Sequence, residues 1–389
     1  MKKSWLIAIL LLGATVFGFA SEELDIYTRL YKDSSTPAER LGLLKSVAES
    51  NLEGAGSLYA EALAQLLREQ PTLRSSAERE TADSLARLLS KLLGEAKYTA
   101  AAEDLWRLVQ NFSNPLVKSD ALIAIGRTRS DDLLEEVSRT LSDLNLKPTP
   151  DPEAGEKVAY GAILALEKYR KPEGYLPVFF ASTGWYGRRV RDQASASLPL
   201  ILEDPSEPLA SIIQSSGYVY STKLLALQTA ENSNAPSAGK AAVALAGLSE
   251  GWRSASNDVK DRLQLASMRK LAINMFIRYR SDDPAVIPLL ERSYKDGIDM
   301  EEKLGAVTAL SVNGSDEAAR SLSSFLVALN GKRKDNVINQ EDERMVRALI
   351  PALGATGKAI ARPALRTVDI LDWTNAVKVL AIEALKKLP

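Results

Sequence analysis

An alanine that returns along the chain restricts the possible folds more than any other feature. It stands at residues 121, 162, 194, 226, 272, 306, 348 and 381, each time inside a helical apolar pattern. The intervals run from 32 to 46 residues and average about 37. A recurrence of that length marks stacked supersecondary units rather than one compact core. The best-preserved copies are "VKSDALIAIGRTRSDD" (117–132) and "MRKLAINMFIRYRSDD" (268–283). On that frame Val117 meets Met268, Ala121 meets Ala272 and Ile125 meets Phe276. "KVAYGAILALEKYRKPEGYLPVF" (157–179) and "EEKLGAVTALSVNGSDEAARSLSSFL" (301–326) fit the same frame.

Each copy divides into two helices of different character. Over 301–311, Leu304, Ala306, Val307, Ala309 and Leu310 cover well over half of the helix circumference. A surface helix needs an apolar stripe of only about 100°, so this inner helix must be covered on two sides. The next helix, 316–329, is one-faced, with Ala318, Leu322, Phe325, Leu326 and Leu329 on its buried side. One such pair cannot bury its apolar surface alone, whereas a stack can. Strand patterns are nearly absent, so the expected class is all-α, an α-α superhelix. Ahead of the repeats, helices are expected at 37–50, 54–69, 74–94 and 98–111. Thr36-Pro37 would open the first, and Asn114-Pro115 breaks the pattern after the last. The expected plan is a signal peptide at 1–20, an N-terminal helical region at 21–115 and a repeat solenoid at 116–389. The 21–115 region is either a cap or a run of degenerate repeats.

"RYRSDDPAVIPLLERSYKDGIDMEEKLGAVTAL", with its Asp-Pro turn, its "AVIPLL" outer helix and its alanine-centred inner helix, resembles HEAT repeats. It is most similar to the short type found in bilin-lyase-like proteins. The likeness is good over 267–326, fair over 117–179 and weak over 188–260 and 342–389. The resemblance implies a HEAT-like solenoid and, in most such proteins, an interaction scaffold. The metal hydroxylases of this kind use His-Glu pairs on repeated helices, and this chain has no histidine. Bilin lyases are cytoplasmic, which the N-terminus argues against.

That N-terminus, "MKKSWLIAILLLGATVFGFASEE", has a basic start, a short apolar run and small residues at Gly18 and Ala20. It reads as a signal peptide cleaved after Ala20. The run is shorter than the ~20 residues that span a bilayer. A periplasmic or secreted protein without stable membrane insertion is therefore expected. Cysteine and histidine are both absent from the 389 residues. Disulfides, thiolate nucleophiles and Cys/His metal sites are thereby excluded, and so is the side chain best suited to proton transfer at neutral pH. No catalytic residue, metal or cofactor is expected, and the chain is expected not to be an enzyme. A carboxylate-pair hydrolase stays open, because such pairs are set by folding. A formal charge of −1 gives no footprint for nucleic acid.

Two features compete as sites. In "RSDD", Ser130 and Ser281 suit N-caps, and the aspartates after them oppose a helix dipole. Pro284 suits the first helical position. Capping thus accounts for the whole turn. The second feature is the set of segments that precede the inner helices. The long ones are 146–156, 248–261 and 330–343, and the shorter ones are 181–189, 215–221 and 371–375. They would share one edge of a solenoid, where insertions often mark a binding face. Trp185, Tyr186, Tyr218, Tyr220, Trp252 and Trp373 lie there, with Arg188, Arg189, Arg191 and Arg253 on or beside the same edge. Trp, Tyr and Arg are the residue types enriched at interaction hot spots. Either this edge binds a protein partner in the cell envelope, or Trp185, Tyr186 and Trp252 bind a glycan, or the rings fold under their loops and staple neighbouring units.

Overall fold

A computed structural model describes residues 23–50 and 52–389, and the expected signal peptide lies outside the described residues. Among the described residues there is no strand, and the protein is all-α. Contacts divide the chain into two compact units, Met1–Leu202 and Glu203–Pro389. The first holds α1 (23–33), α2 (Pro37–Ser50), α3 (Gly56–Glu69), α4 (Ser76–Glu95), α5 (Ala102–Asn111), α6 (Pro115–Thr128), α7 (Leu134–Leu146), α8 (Pro152–Tyr169), α9 (Tyr175–Thr183) and α10 (Arg188–Ile201). The second holds α11 (Ser206–Gln214), α12 (Tyr220–Asn232), α13 (Ser237–Arg253), α14 (Val259–Tyr279), α15 (Ile287–Asp296), α16 (Met300–Asn313), α17 (Asp316–Lys334), α18 (Gln340–Thr356), α19 (Arg362–Ile370) and α20 (Asn375–Lys386).

In the first unit the even-numbered helices α2 to α10 pack one upon the next as an inner layer. The odd-numbered α3 and α5, and α7 and α9, pair in an outer layer. The second unit repeats the arrangement, with α12 to α20 inside and α11 to α19 outside. This is HEAT-like stacking, and the helices before residue 116 follow the same alternation as those after it. Seven of the eight recurrent alanines, all but Ala348, are at 0% exposure, which a helix covered on two sides requires.

Ala348 departs from the expected register. It is half-buried, while Val346, Leu349, Ile350 and Leu353 around it are fully enclosed. In α6, Gly126 follows Ala121 by five residues and abuts Ala165 of α8; in α18, Gly354 abuts Ala384 of α20. Counting back five residues from Gly354 puts Leu349 at the inner position.

The repeated "RSDD" corner also differs from its expected form. Arg129 and Arg280 adopt left-handed backbone conformations, φ 54° and 51°, and close α6 and α14 as C-caps. Ser130 precedes a short 3-10 turn, but its side chain makes no capping bond. In the second copy the cap is Asp283, whose side chain accepts from the Ala285 amide at 2.9 Å. Pro284 does occupy the first helical position. The corner is structural, through different atoms from those expected.

The long segments before inner helices are mostly helical. The connections shrink to 147–151, 254–258 and 335–339. Asp151, Asp258 and Asn339 set the new starts, each accepting from backbone amides of the helix that follows.

Close packing of inner helices gives a direct test. A Cβ at Gly161 would lie 2.7 Å from the Ser119 Cα, whereas one at Gly42 would meet nothing within 4 Å. Alanine is the better helix former by about 1 kcal/mol, but overpacking against backbone costs about 1–3 kcal/mol. Urea denaturation should show Gly161→Ala destabilised by about 1–2 kcal/mol and Gly42→Ala stabilised by up to about 1 kcal/mol.

Candidate functional site

The tryptophans of the expected binding edge are tied into the repeats. Trp185 Nε1 donates to the Leu144 carbonyl at 2.8 Å, Trp252 Nε1 to Ser293 Oγ at 3.0 Å, and Trp373 Nε1 to Asn330 Oδ1 at 2.9 Å. Each bond reaches the outer helix of an adjacent repeat. Tyr186 is 2% exposed, stacks beside Trp185 at 4.3 Å and donates to Asn145 Oδ1 at 3.0 Å. Burial, with the Glu156 charge adding, pushes its phenol pKa well up. Trp373 is 5% exposed. The ring of Trp252 lies under two guanidinium groups, Arg269 at 4.1 Å and Arg292 at 4.5 Å. These residues act as staples between neighbouring repeats; Tyr186 is buried, and the Trp185 and Trp252 rings are half-buried.

Two asparagines organise the staples. Asn145 Nδ2 donates to the Pro177 carbonyl at 2.9 Å while its Oδ1 serves Tyr186. Asn330 Nδ2 donates to the Ala364 carbonyl at 3.1 Å while its Oδ1 serves Trp373. "DLNL" and "ALNG", each with an aromatic 41 or 43 residues on, carry that signal in the sequence.

The basic stretch of α10 is exposed and mostly engaged locally. Arg188 pairs with Asp192 at 3.3 Å, and Arg189 lies 5.0 Å from the Tyr160 ring centroid. Arg191 is exposed on the same helix.

Three of the expected residues do come together. Tyr218, Tyr220 and Arg253 line a cavity of about 520 Å³ in the second unit. Its walls are the 215–219 connection, the start of α12, the end of α13 and the first turn of α14. Lys223, Glu250 and Asp261 line it too, and none was singled out from sequence. The signal was present: Lys223 shares a stripe with Ala226, Leu227 and Ala230, and Glu250 shares one with Val243 and Gly247. A charge on an apolar stripe is seldom enclosed unless it is paired.

The pair is Lys223 with Glu250, their side chains 2% and 3% exposed. Lys223 Nζ donates to Glu250 Oε1, Arg253 Nη2 donates to Oε2, and Ser254 Oγ donates to Oε1 at 2.9 Å. Burial opposes ionisation of Glu250, but hydrogen bonds from Lys223, Ser254 and Arg253 outweigh it and hold the carboxyl below its usual range. An ionised, triply bonded carboxylate is a poor proton donor at neutral pH. Arg253 also donates to the Gln214 carbonyl at 3.2 Å, linking the ends of α13 and α11. A second cavity of about 400 Å³ adjoins, sharing Gln214, Glu250 and Arg253. In the first unit a cavity of about 390 Å³ lies between α4 and α6, crossed by the Arg87–Asp120 pair at 2.6 Å. Among the described residues no group of three or more Asp or Glu is placed to hold a metal ion.

No protein-family model matches the chain, and no curated protein matches it. Among solved structures, human deoxyhypusine hydroxylase in complex with glycerol is similar over 87% of this chain and 98% of its own. The identity is 16% and the TM-score 0.28. An engineered protein is similar over 93% of this chain and 98% of its own, at 15% identity and a TM-score of 0.31. Likeness at these levels concerns fold alone. The class defined by the helix stacking is an all-α protein of HEAT-like repeats. One expectation is corrected here. The chain was expected not to be an enzyme, and its composition does not carry that expectation. Missing histidine and cysteine remove particular chemistries and do not exclude catalysis as a whole.

Glu250 makes the site sensitive to acid. Its folded-state pKa is depressed, so its contribution to stability is complete above the ordinary value of 4.5 and is lost as pH falls through the folded value. Glu250→Gln should flatten that acid limb in denaturation curves taken at successive pH values. At pH 7 the same variant leaves Lys223 uncompensated and should lose about 3–5 kcal/mol.

Proposed function

We propose that the chain is an exported protein of the cell envelope that holds a partner protein at the cleft of its second unit. The "MKK…FASEE" leader supports export, and no helix among the described residues is long and apolar enough to cross a membrane. The HEAT-like stacking, read as repeats of the short bilin-lyase type, supports a scaffold. The observation that carries the reading is the cleft itself. It opens between the connections that precede inner helices α12 and α14, on the edge where a partner is expected, and it gathers Tyr218, Tyr220 and Arg253. These are hot-spot residue types. Val219, 67% exposed on the same wall, offers an apolar contact beside them.

A photo-crosslinking residue at position 219, in cells of the source organism, tests this directly. Position 370 is the control, since Ile370 is an exposed apolar residue of the same unit, on α19. The expected result is one discrete protein adduct from 219 and none from 370. Equal labelling from both positions, or none from 219, would sink the assignment.

A further inference from the structure

We propose that the cleft recognises a carboxylate carried by the partner, held between Lys223 and Arg253. This rests on the reading of the cleft as the partner site. The first support is a charge count at the cleft floor. Two cations, Lys223 and Arg253, share one carboxylate, Glu250. Against that carboxylate one positive charge is left over, and it lies on Arg253, whose side chain is open to the cleft. Asp261 faces the same cavity from the first turn of α14. It accepts from Ser256 Oγ at 3.0 Å, and the α14 N-terminus, equivalent to about half a positive charge, offsets its charge in part.

The second support is unspent donor capacity. A lysine ammonium has three donors; the bonded acceptor of Lys223 is Glu250, and the Tyr220 ring lies 5.8 Å away. A guanidinium has five donors. Arg253 uses one nitrogen, Nη2, on both Gln214 and Glu250, while its side chain is 64% exposed. Nε and Nη1 are its remaining donors, and a carboxylate that displaces the Gln214 carbonyl from Nη2 can be held in two parallel bonds.

Charge size selects among anions. A single-charge carboxylate matches the surplus of one. A phosphate, at about −1.5 to −2, would exceed the surplus and meet the charges of Glu250 and Asp261. Arg253 also stands where the two cavities meet, since both are lined by Gln214, Glu250 and Arg253. A bound carboxylate that draws Arg253 from the Gln214 carbonyl would open one cavity toward the other, making room for residues flanking the acidic one.

The test uses four short peptides and the purified protein, with Kd measured by calorimetry. One peptide, blocked at both ends, carries a single aspartate, and its control carries asparagine. Another has a free C-terminal carboxylate, and its control is amidated. At least one acid form should bind more tightly than its amide form by about tenfold or more, the worth of one charged hydrogen bond. Which acid form binds tells an acidic segment from a chain end. Arg253→Gln should remove the preference for the acid form. Lys223→Met, checked for folding by circular dichroism, should weaken the same acid form. Equal binding of acid and amide forms, or a preference that survives Arg253→Gln, overturns the proposal. So does failure of every peptide to bind while the adduct from position 219 persists. Loss of that adduct would instead overturn the reading beneath it.

Discussion

Backbone contact between consecutive inner helices is the constraint on which the rest of the structure depends. A Cβ at Gly94 would stand 3.0 Å from the Ala124 Cα, and one at Gly354 would stand 2.8 Å from the Ala384 Cα. Such spacing is available only to the smallest residues. The chain has no cysteine for a cross-link, so each helix depends on its neighbours for burial. Once two inner helices are pressed this close, the outer helices have little freedom to slide. That fixed offset explains why staple bonds recur at separations of 41 to 43 residues: Trp185 to Leu144, Tyr186 to Asn145, Trp252 to Ser293 and Trp373 to Asn330.

The fold was legible wherever local pattern carries it. The recurrent alanines identify the inner helices because a position enclosed on two sides tolerates little volume. Helix α2 begins and ends where the Thr36-Pro37 start and the 3.6-residue period place it. Legibility failed at α18, where Ala348 and Leu349 stand side by side and only the facing helix decides which is inside. It failed again where a helix outruns its apolar pattern. The last turn of α17, with Lys332, Arg333 and Lys334, reads as loop from composition. It stays helical because basic side chains suit a helix C-terminus.

The site was legible as a list of residue types and not as an arrangement. Trp, Tyr and Arg recur at the connections between helices and at the helix ends beside them. Which rings turn inward depends on acceptors some forty residues away, beyond any local window. The charged pair was in plain view on its two apolar stripes. Its meaning needed the fold, because Lys223 and Glu250 are 27 residues apart and meet only through the packing of α12 against α13.

The buried pair also separates the cleft from the corners around it. At the 184–187 and 371–374 connections a ring fills the space against the neighbouring outer helix, and the hydrogen-bonding groups there are satisfied within the protein. At 215–219 a cavity stands instead, with an ion pair for its floor. Stability alone does not account for that choice. Replacing a buried ion pair with apolar residues of similar volume is often neutral or stabilising, by about 1–4 kcal/mol. The ring-filled corners of this same chain show that an apolar solution suits this architecture. Keeping an enclosed lysine–carboxylate pair with an exposed arginine at its side makes sense if the cleft must stay polar and exchange one set of partners for another. An ionised Glu250 holds Lys223 and Arg253 in place while it is empty of ligand, and it leaves them enough donors to bind an incoming anion.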